Sequence, residues 1–385
     1  MSSPATRLLI DRKDLRLTRL VPDPDAPDAP GGRALAEGEV RLLIDTFSLT
    51  ANNITYAAFG DAMKYWQFFP APEADRAQWA CLPVWGFAEV QESRAEGVRV
   101  GQRLWGYYPA GTHLVVAPAR IGRSGFTDGS AHRQELAAVY NQYGDTAADP
   151  GWSPALEGLQ AVLKPLFITS FLIDDFLADN NFFGARQLLL SSASSKTAFG
   201  TAFCLAMRRG TPGQPRVVGL TSPGNVAFTQ ALGCYDAVLP YADLTTLPRS
   251  EPAVYVDFSG DAPLRRAVHE YFGDAALMHS ASIGGTHWEA LGSGAGLPGP
   301  RPTLFFAPAQ VKKRAAPPPE GWGPAELQRR IGQAWGAFLQ RIAAAEPPWV
   351  RVVTQSGPQA LQEAYLALLE GRVDPSRGLM IRPAG

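Results

Sequence analysis

Hydroxyl and amine side chains crowd the run Ser191-Ser192-Ala193-Ser194-Ser195-Lys196-Thr197. Ser192, Ser194, Ser195 and Thr197 can donate hydrogen bonds to an anion, and Lys196 adds a positive charge, so the run has the chemistry of a phosphate cradle. Its setting supports that chemistry. The apolar run Gln187-Leu188-Leu189-Leu190 precedes it, and a helix-like stretch, residues 198–209, follows. Strand, small-residue turn, helix and strand is the βαβ order of a parallel sheet. The turn after the first strand of such a unit is where a dinucleotide pyrophosphate meets a helix N-terminus. Three readings stay open. A dinucleotide loop wants G-x-G-x-x-G, but the first glycine here is Gly200, inside the helix. Lys196-Thr197 fits the end of a P-loop, yet Leu190 and Ser195 stand where its glycines belong; that reading implies magnesium-dependent ATP binding. The third is a plain turn whose serines cap a helix.

A second site sits at the end of the next strand, Arg216-Val217-Val218-Gly219-Leu220. It closes on Thr221-Ser222-Pro223-Gly224-Asn225. A carboxylate there would bind the ribose of NADH. None is present, and Ser222 and Asn225 can hydrogen-bond a 2′-phosphate, so NADPH is expected over NADH. The competing reading is a Pro-Gly turn with no ligand.

These segments need a scaffold. The 385 residues suit two domains, and 46% hydrophobic with 18% charged residues is an ordinary globular composition. A net charge of −1 carries no footprint for nucleic acid. The cysteines Cys81, Cys204 and Cys234 are too scattered for a disulfide framework and suit a reducing cytosol. No C-x-x-C pair occurs and the five histidines are dispersed, so no metal site is expected. Charges interrupt the N-terminus, and no apolar run reaches membrane-spanning length. Residues 7–20 read as a strand pair, 21–32 as an exposed loop, and 38–48, 84–91, 103–108 and 113–117 as short strands, an all-β domain closed as a barrel. Residues 158–180 turn helical, with Leu159, Val162, Leu163, Leu166 and Phe167 on one face. Further strands are read at 253–258, 302–307 and 378–382, and amphipathic helices at 325–341 and 358–370.

A β barrel, a dinucleotide fold and a return to the barrel resemble the medium-chain dehydrogenase/reductase superfamily, in its zinc-free quinone-oxidoreductase and enoyl-reductase branch. Gly38-Glu39-Val40 with Thr50-Ala51-Asn52-Asn53 looks like the family's "GEV…GxNxxD" strand and loop. Pro83 to Val90 resembles "PGxDxxGxV", and Gly97 to Leu104 resembles "GV…GDRV", with Gln102 for Asp. Ala231-Leu232-Gly233-Cys234, Asp257-Phe258-Ser259-Gly260 and Ser282-Ile283-Gly284-Gly285 resemble further turns of the dinucleotide fold. The departures are the glycine-free loop, the missing zinc ligands, and a longer segment near 126–150 that looks like an insertion at the domain junction.

The resemblance implies an α/β architecture, a GroES-like β-barrel domain plus a Rossmann-type domain. The expected division is 1–157, 158–310 and a C-terminal return over 311–385. It implies a zinc-independent NADPH-dependent reductase of an activated C=C bond or a quinone. Tyr56 stands where related reductases place a polar residue facing the nicotinamide; its hydroxyl can polarise a carbonyl or supply a proton. Asn52 or Asn53 would orient the substrate, and Tyr65, in the run Tyr65-Trp66-Gln67-Phe68-Phe69, would line a flat pocket or pack in the core. Thr169, Phe258, Ser259, Ser282 and Ile283 would lie along the cofactor. Asp174-Asp175 reads as a solvated helix face, and His132, His279 and His287 as structural. The expected partners are a small hydrophobic carbonyl or quinone and a second copy of the chain, paired through a sheet edge at 275–280. A cytoplasmic location is expected, without nucleic acid or membrane. The alternative is a fold relative that has lost redox activity and binds another ligand.

Overall fold

The computed structural model describes residues 4–30, 33–283 and 296–384. The chain divides into two compact units, Met1–Val162 with Val350–Gly385, and Leu163–Trp349. The second unit thus extends beyond residue 310, where the sequence reading began the C-terminal return.

The first unit is the GroES-like β domain. A three-stranded antiparallel sheet joins β1 (Thr6–Asp11), β2 (Thr18–Pro22) and β4 (Trp79–Cys81). A nine-stranded sheet is built on β3 (Val40–Leu49), β5 (Pro83–Ser93) and β6 (Arg103–Pro109), with β7 (His113–Val116), β8 (Pro118–Gly122), β9 (Gly125–Asp128) and β10 (Gln142–Asp145). β17 (Arg351–Ser356) and β18 (Arg377–Arg382) complete it from the far end of the chain, with β18 antiparallel to β3. The stretch resembling an insertion therefore supplies two sheet strands, β9 and β10, joined by two 3-10 turns, Ala131–Arg133 and Ala138–Asn141. Within the stretch read as an exposed loop, of which residues 31–32 lie outside the described residues, Asp23 is instead fully buried against Arg7 at 2.7 Å. A buried carboxylate needs such a partner.

The second unit is a Rossmann-type parallel sheet. Its strands are β11 (Gln187–Leu190), β12 (Arg216–Thr221), β13 (Ala237–Pro240), β14 (Ala253–Asp257), β15 (Leu277–Ser282) and β16 (Thr303–Leu304). Their spatial order, β13-β12-β11-β14-β15-β16, is the 3-2-1-4-5-6 order of a dinucleotide fold, which reverses between β11 and β14. The central strands are buried on both faces; Leu189, Val218 and Tyr255 meet Val268 and Phe272 of α5 (Ala262–Ala276). α2 (Glu157–Asp179) leads into β11, α3 (Lys196–Ala206) follows it, and α4 (Val226–Ala231) follows β12.

Three expectations are corrected here. The strand read at 302–307 is only Thr303–Leu304, because α6 (Ala307–Ala315) begins at once with Pro308 in its first turn. The run 275–280 is not a simple edge: β15 pairs with β14 along one side and with β16 at Ala281 and Ser282 on the other. Asp174 and Asp175 are buried, not solvated; Asp174 holds Arg208 at 2.7 Å and Asp175 holds Arg314 at 2.7 Å. Sequence spacing placed them on a helix but not the arginines that cover them. Gly284, Gly285 and His287 lie outside the described residues.

Candidate functional site

In the second unit, the sheet gathers the expected cofactor residues along its carboxyl edge. Leu190 is level with Gly219 of β12 and Val256 of β14, and Asp257 is level with Ser282 of β15. Ser191, Thr221, Phe258, Ser259, Ser282 and Ile283 therefore stand at neighbouring strand ends. This is the crevice where open parallel sheets bind ligands.

The glycine-free loop keeps a glycine-like backbone. Ser192 has φ +48°, in the left-handed region that glycine usually fills. A turn closes over it, with Ser195 N–H donating to Ser192 O at 2.7 Å. Tyr235 pins the loop by donating to Ala193 O at 2.8 Å, and Tyr241 lies in hydrogen-bonding reach of Ser192. Neither tyrosine is legible as a loop residue in the sequence, since each follows a different strand.

Asn225 Nδ2 donates to Ser194 Oγ at 3.2 Å and to Ser222 Oγ at 3.0 Å, and Thr221 Oγ1 donates to Ser194 Oγ at 3.4 Å. Four residues named from separate segments thus form one polar cluster beside the loop. Ser195 caps α3 by position, but its side chain makes no capping bond. The bond from Phe199 N–H to Ser195 O at 2.9 Å joins the loop directly to the N-terminus of α3. A helix N-terminus with its dipole favours an anion. Lys196 opens the helix and is half-buried.

Other expected residues are engaged structurally. Ser191 donates to Asp257 at 2.9 Å and receives the N–H groups of Phe258 and Ser259. Asp257 also binds Arg265 at 2.8 Å. Thr169 donates back to Pro165 O of its own helix at 3.3 Å. Thr197 contributes its carbonyl to Ser170 Oγ at 2.8 Å.

In the first unit, Tyr56 projects from α1 (Ala51–Ala58) into an aromatic cluster. Trp85 on β5 is level with Tyr107 on β6, so their rings share one sheet face. Trp85 Nε1 donates to Tyr56 Oη at 3.0 Å. The side chain of Asn52 and the hydroxyl of Tyr140 also lie in hydrogen-bonding reach of Tyr56. Tyr65 and Tyr140 hydroxyls are 3.4 Å apart. Ring centroids separate Tyr56 from Tyr65 by 4.7 Å and from Tyr107 by 5.5 Å. Burial, with the nearby Tyr65 hydroxyl, raises the Tyr56 phenol well above its ordinary range. It stays protonated and able to donate. Tyr107 is fully buried, and among the described residues its hydroxyl has no partner.

Asn53 does something else. Its Oδ1 accepts from Thr50 N–H at 2.7 Å, and its Nδ2 donates to Pro83 O at 2.8 Å. The side chain ties the start of α1 to β5, a capping role that leaves substrate orientation to other groups. The run from Tyr65 to Phe69 is core, with Tyr65, Trp66, Phe68 and Phe69 all buried. Tyr65 also contributes its hydroxyl to the cluster. Sequence reasoning missed Trp85, Tyr107 and Tyr140. The period-two pattern of β5 and β6 carried the first two; nothing local marked Tyr140.

Among the described residues, no group of three or more His, Cys, Asp and Glu side chains is placed to hold a metal. No helix among them is long and apolar enough to cross a membrane.

Residues 47–374 match the profile of a family described as protein of unknown function, DUF2855. The chain belongs to that family. No curated protein matches it. Solved structures resemble this DUF2855 chain over nearly its whole length. CurA from Vibrio vulnificus, in complex with NADPH, has a TM-score of 0.56 at 13% identity, over 98% of this chain and 99% of that one. A mutant enoyl thioester reductase from Candida tropicalis gives 0.55 at 12%, over 99% and 100%. An ETR1P complex with NADP and crotonyl-CoA gives 0.54 at 12%, over 98% and 99%. At such identities the likeness shows the fold, which in this DUF2855 protein is that of the medium-chain dehydrogenase/reductase superfamily.

Proposed function

We propose that the chain is an NADPH-dependent, zinc-independent reductase of an activated C=C bond or a quinone. The observation that carries this reading is the loop after β11. At the reversal point of the sheet, Ser192 keeps the left-handed backbone of a glycine, and the N-terminus of α3 follows directly. The residues fit a pyrophosphate. Ser194, Ser195, Thr197 and Lys196 would hold it, and Thr221, Ser222 and Asn225 the adenosine ribose with its 2′-phosphate. When bound, the dinucleotide supplies a hydride.

The chain's own chemical part falls to Tyr56. Trp85 N–H occupies one acceptor position of its oxygen, and an indole nitrogen can only donate. The phenolic proton is therefore available to a substrate carbonyl. A neutral phenol, held in place by burial, withdraws electron density from that carbonyl without a metal. A bimolecular partner is part of the same proposal: Met278, Leu304 and Phe306 are exposed beside the short outer strand, where a second copy would cover them. Sedimentation at micromolar concentration giving only a monomer would remove that part. A cytoplasmic location accords with three buried free cysteines.

Titration with NADPH, followed by nicotinamide fluorescence, tests the core of the proposal. Saturable binding that weakens on the order of tenfold to a hundredfold in Lys196→Ala is expected, the scale of one charge-assisted hydrogen bond. Absence of binding would instead favour the reading of a fold relative without redox activity, for which the hydroxyl network among Ser194, Ser222 and Asn225 is a self-sufficient structure.

A further inference from the structure

Tyr140 is carried on the 3-10 turn Ala138–Asn141, whose first two residues are exposed. Its ring lies 4.7 Å from Tyr107 at 40° and 6.0 Å from Trp85 at 44°, and meets Tyr56 edge-on at 6.2 Å. Phe68 and Tyr65 close the sides at 5.3 and 5.7 Å. Its hydroxyl points at those of Tyr65 and Tyr56. A six-membered ring with one oxygen ahead of it thus fills a slot walled by aromatic faces and ended by two phenolic donors.

The turn that carries this ring is separable from the sheet. Asn141 Nδ2 donates to Arg133 O at 3.0 Å and closes the base. Arg133 is anchored on Asp128 at 3.1 Å and on the Tyr143 hydroxyl at 3.1 Å. Between these anchors the backbone bonds are local, Leu136 N–H to Arg133 O at 3.0 Å and Tyr140 N–H to Ala137 O at 3.1 Å. Gln134, Glu135, Ala138 and Val139 are exposed. Displacing residues 134–140 breaks no sheet hydrogen bond.

We propose that the Tyr140 ring occupies the place of a planar, ring-shaped substrate carbonyl, and that the turn at 134–140 swings outward to admit it. This rests on the reading of Tyr56 as the group that faces substrate. The class it selects is a cyclic enone or a quinone rather than a linear enoyl thioester. A flat ring restores the stacking contacts that Tyr140 gives up, and its oxygen inherits the hydroxyls of Tyr56 and Tyr65. A linear chain restores neither wall.

The test uses the whole protein without NADPH, with 2-cyclohexen-1-one as the cyclic probe and the crotonyl thioester of N-acetylcysteamine as the linear one. Calorimetry should show Tyr140→Ala binding the cyclic probe at least about tenfold tighter than wild type, the scale of removing a competing internal occupant. The linear probe should change by less than about threefold. In wild type, saturating cyclic probe should speed amide hydrogen exchange over residues 134–142, a readout that needs no variant to fold. Equal gains for both probes, no gain for either, or unchanged exchange in wild type on ring binding overturns the proposal. Binding and exchange as expected, with no oxidation of NADPH by either probe, would uphold the slot and remove the reductase reading. Oxidation of NADPH by the linear probe alone would do the reverse.

Discussion

Tyr56 is fixed by an indole on one side, and its proton is thereby directed to whatever acceptor stands on the other. Removing that proton while keeping the ring separates chemistry from packing. Tyr56→Phe should lower turnover about 10²-fold, the usual scale of positioned acid–base or electrophilic help. NADPH affinity should barely move, since Tyr56 and the serine loop belong to different units. Single-turnover reduction of a small panel of enones and quinones is the measurement, and a wild-type rate in the Phe variant would leave the carbonyl without its donor. A second residue reads the coenzyme. Ser222 accepts from Asn225 within the polar cluster, and Ser222→Asp places a carboxylate where a 2′-phosphate would lie. NADPH should lose more affinity than NADH, through like-charge repulsion. Equal losses in parallel fluorescence titrations would put the ribose pocket elsewhere.

Between elements, the closest approach bearing on the loop is that of α3 to α2. Gly200 lies in the middle of α3, and a Cβ added there would stand 2.6 Å from Ser170 Oγ and 3.1 Å from Ser170 Cβ. Ser170 cannot turn away freely. Its single hydroxyl proton is shared between Thr197 O at 2.8 Å and Leu166 O at 3.0 Å, stitching the first turn of α3 to α2. In an exposed helix, Gly→Ala adds about 1 kcal/mol of stability. Here overpacking should win, and Gly200→Ala should destabilise by about 1–3 kcal/mol. Urea unfolding at neutral pH reads this directly. A raised midpoint would mean that Ser170 and α2 yield to the added methyl group. The glycine that a dinucleotide fold usually spends in the loop is in this chain spent on helix packing, one turn later.

At the scale of the whole molecule, three histidines among the described residues set a pH dependence. Burial lowers the pKa of His113, His269 and His279 below the ordinary 6.5. Below 6.5 the unfolded chain takes up protons that the folded chain refuses, so the stability present above that value is lost as pH falls toward the folded pKa values. Each histidine inside its window contributes a slope of about 1.4 kcal/mol per pH unit. His269 is fully buried and His113 nearly so, and these two should dominate, while His279 is half-buried and screened. Urea midpoints should therefore drop between pH 7.5 and 5.5. His269→Asn, with His269 Nδ1 at 2.8 Å from Pro298 O and Nε2 at 3.0 Å from Ser280 Oγ, should flatten part of that fall. An unchanged slope in this variant would assign the dependence to other groups.

The order of elements was legible in the sequence, because periodicity and turn chemistry are local. β3, β5, β6, the strands β11, β12 and β14, and the helices α2, α3, α7 (Pro324–Ala343) and α8 (Pro358–Leu369) fall close to where apolar spacing puts them. The serine run after β11 and the hydroxyls after β12 were also visible, since residue type and place in a βαβ unit suffice to name them. β17 was hidden: its residues are mostly exposed, and only pairing with β18 makes them a strand. The partners of Asp174 and Asp175 were hidden for a related reason, as ion pairs form between residues far apart in the chain. Tertiary structure alone decided that Ser192 takes a left-handed backbone, held from outside by Tyr235 and Tyr241. It decided equally that Asn53 turns to backbone atoms while Tyr140 turns inward to Tyr56. Composition and spacing determine which groups a chain owns and on which element each rides; which of them meet depends on how far-separated segments pack, and no local pattern encodes that.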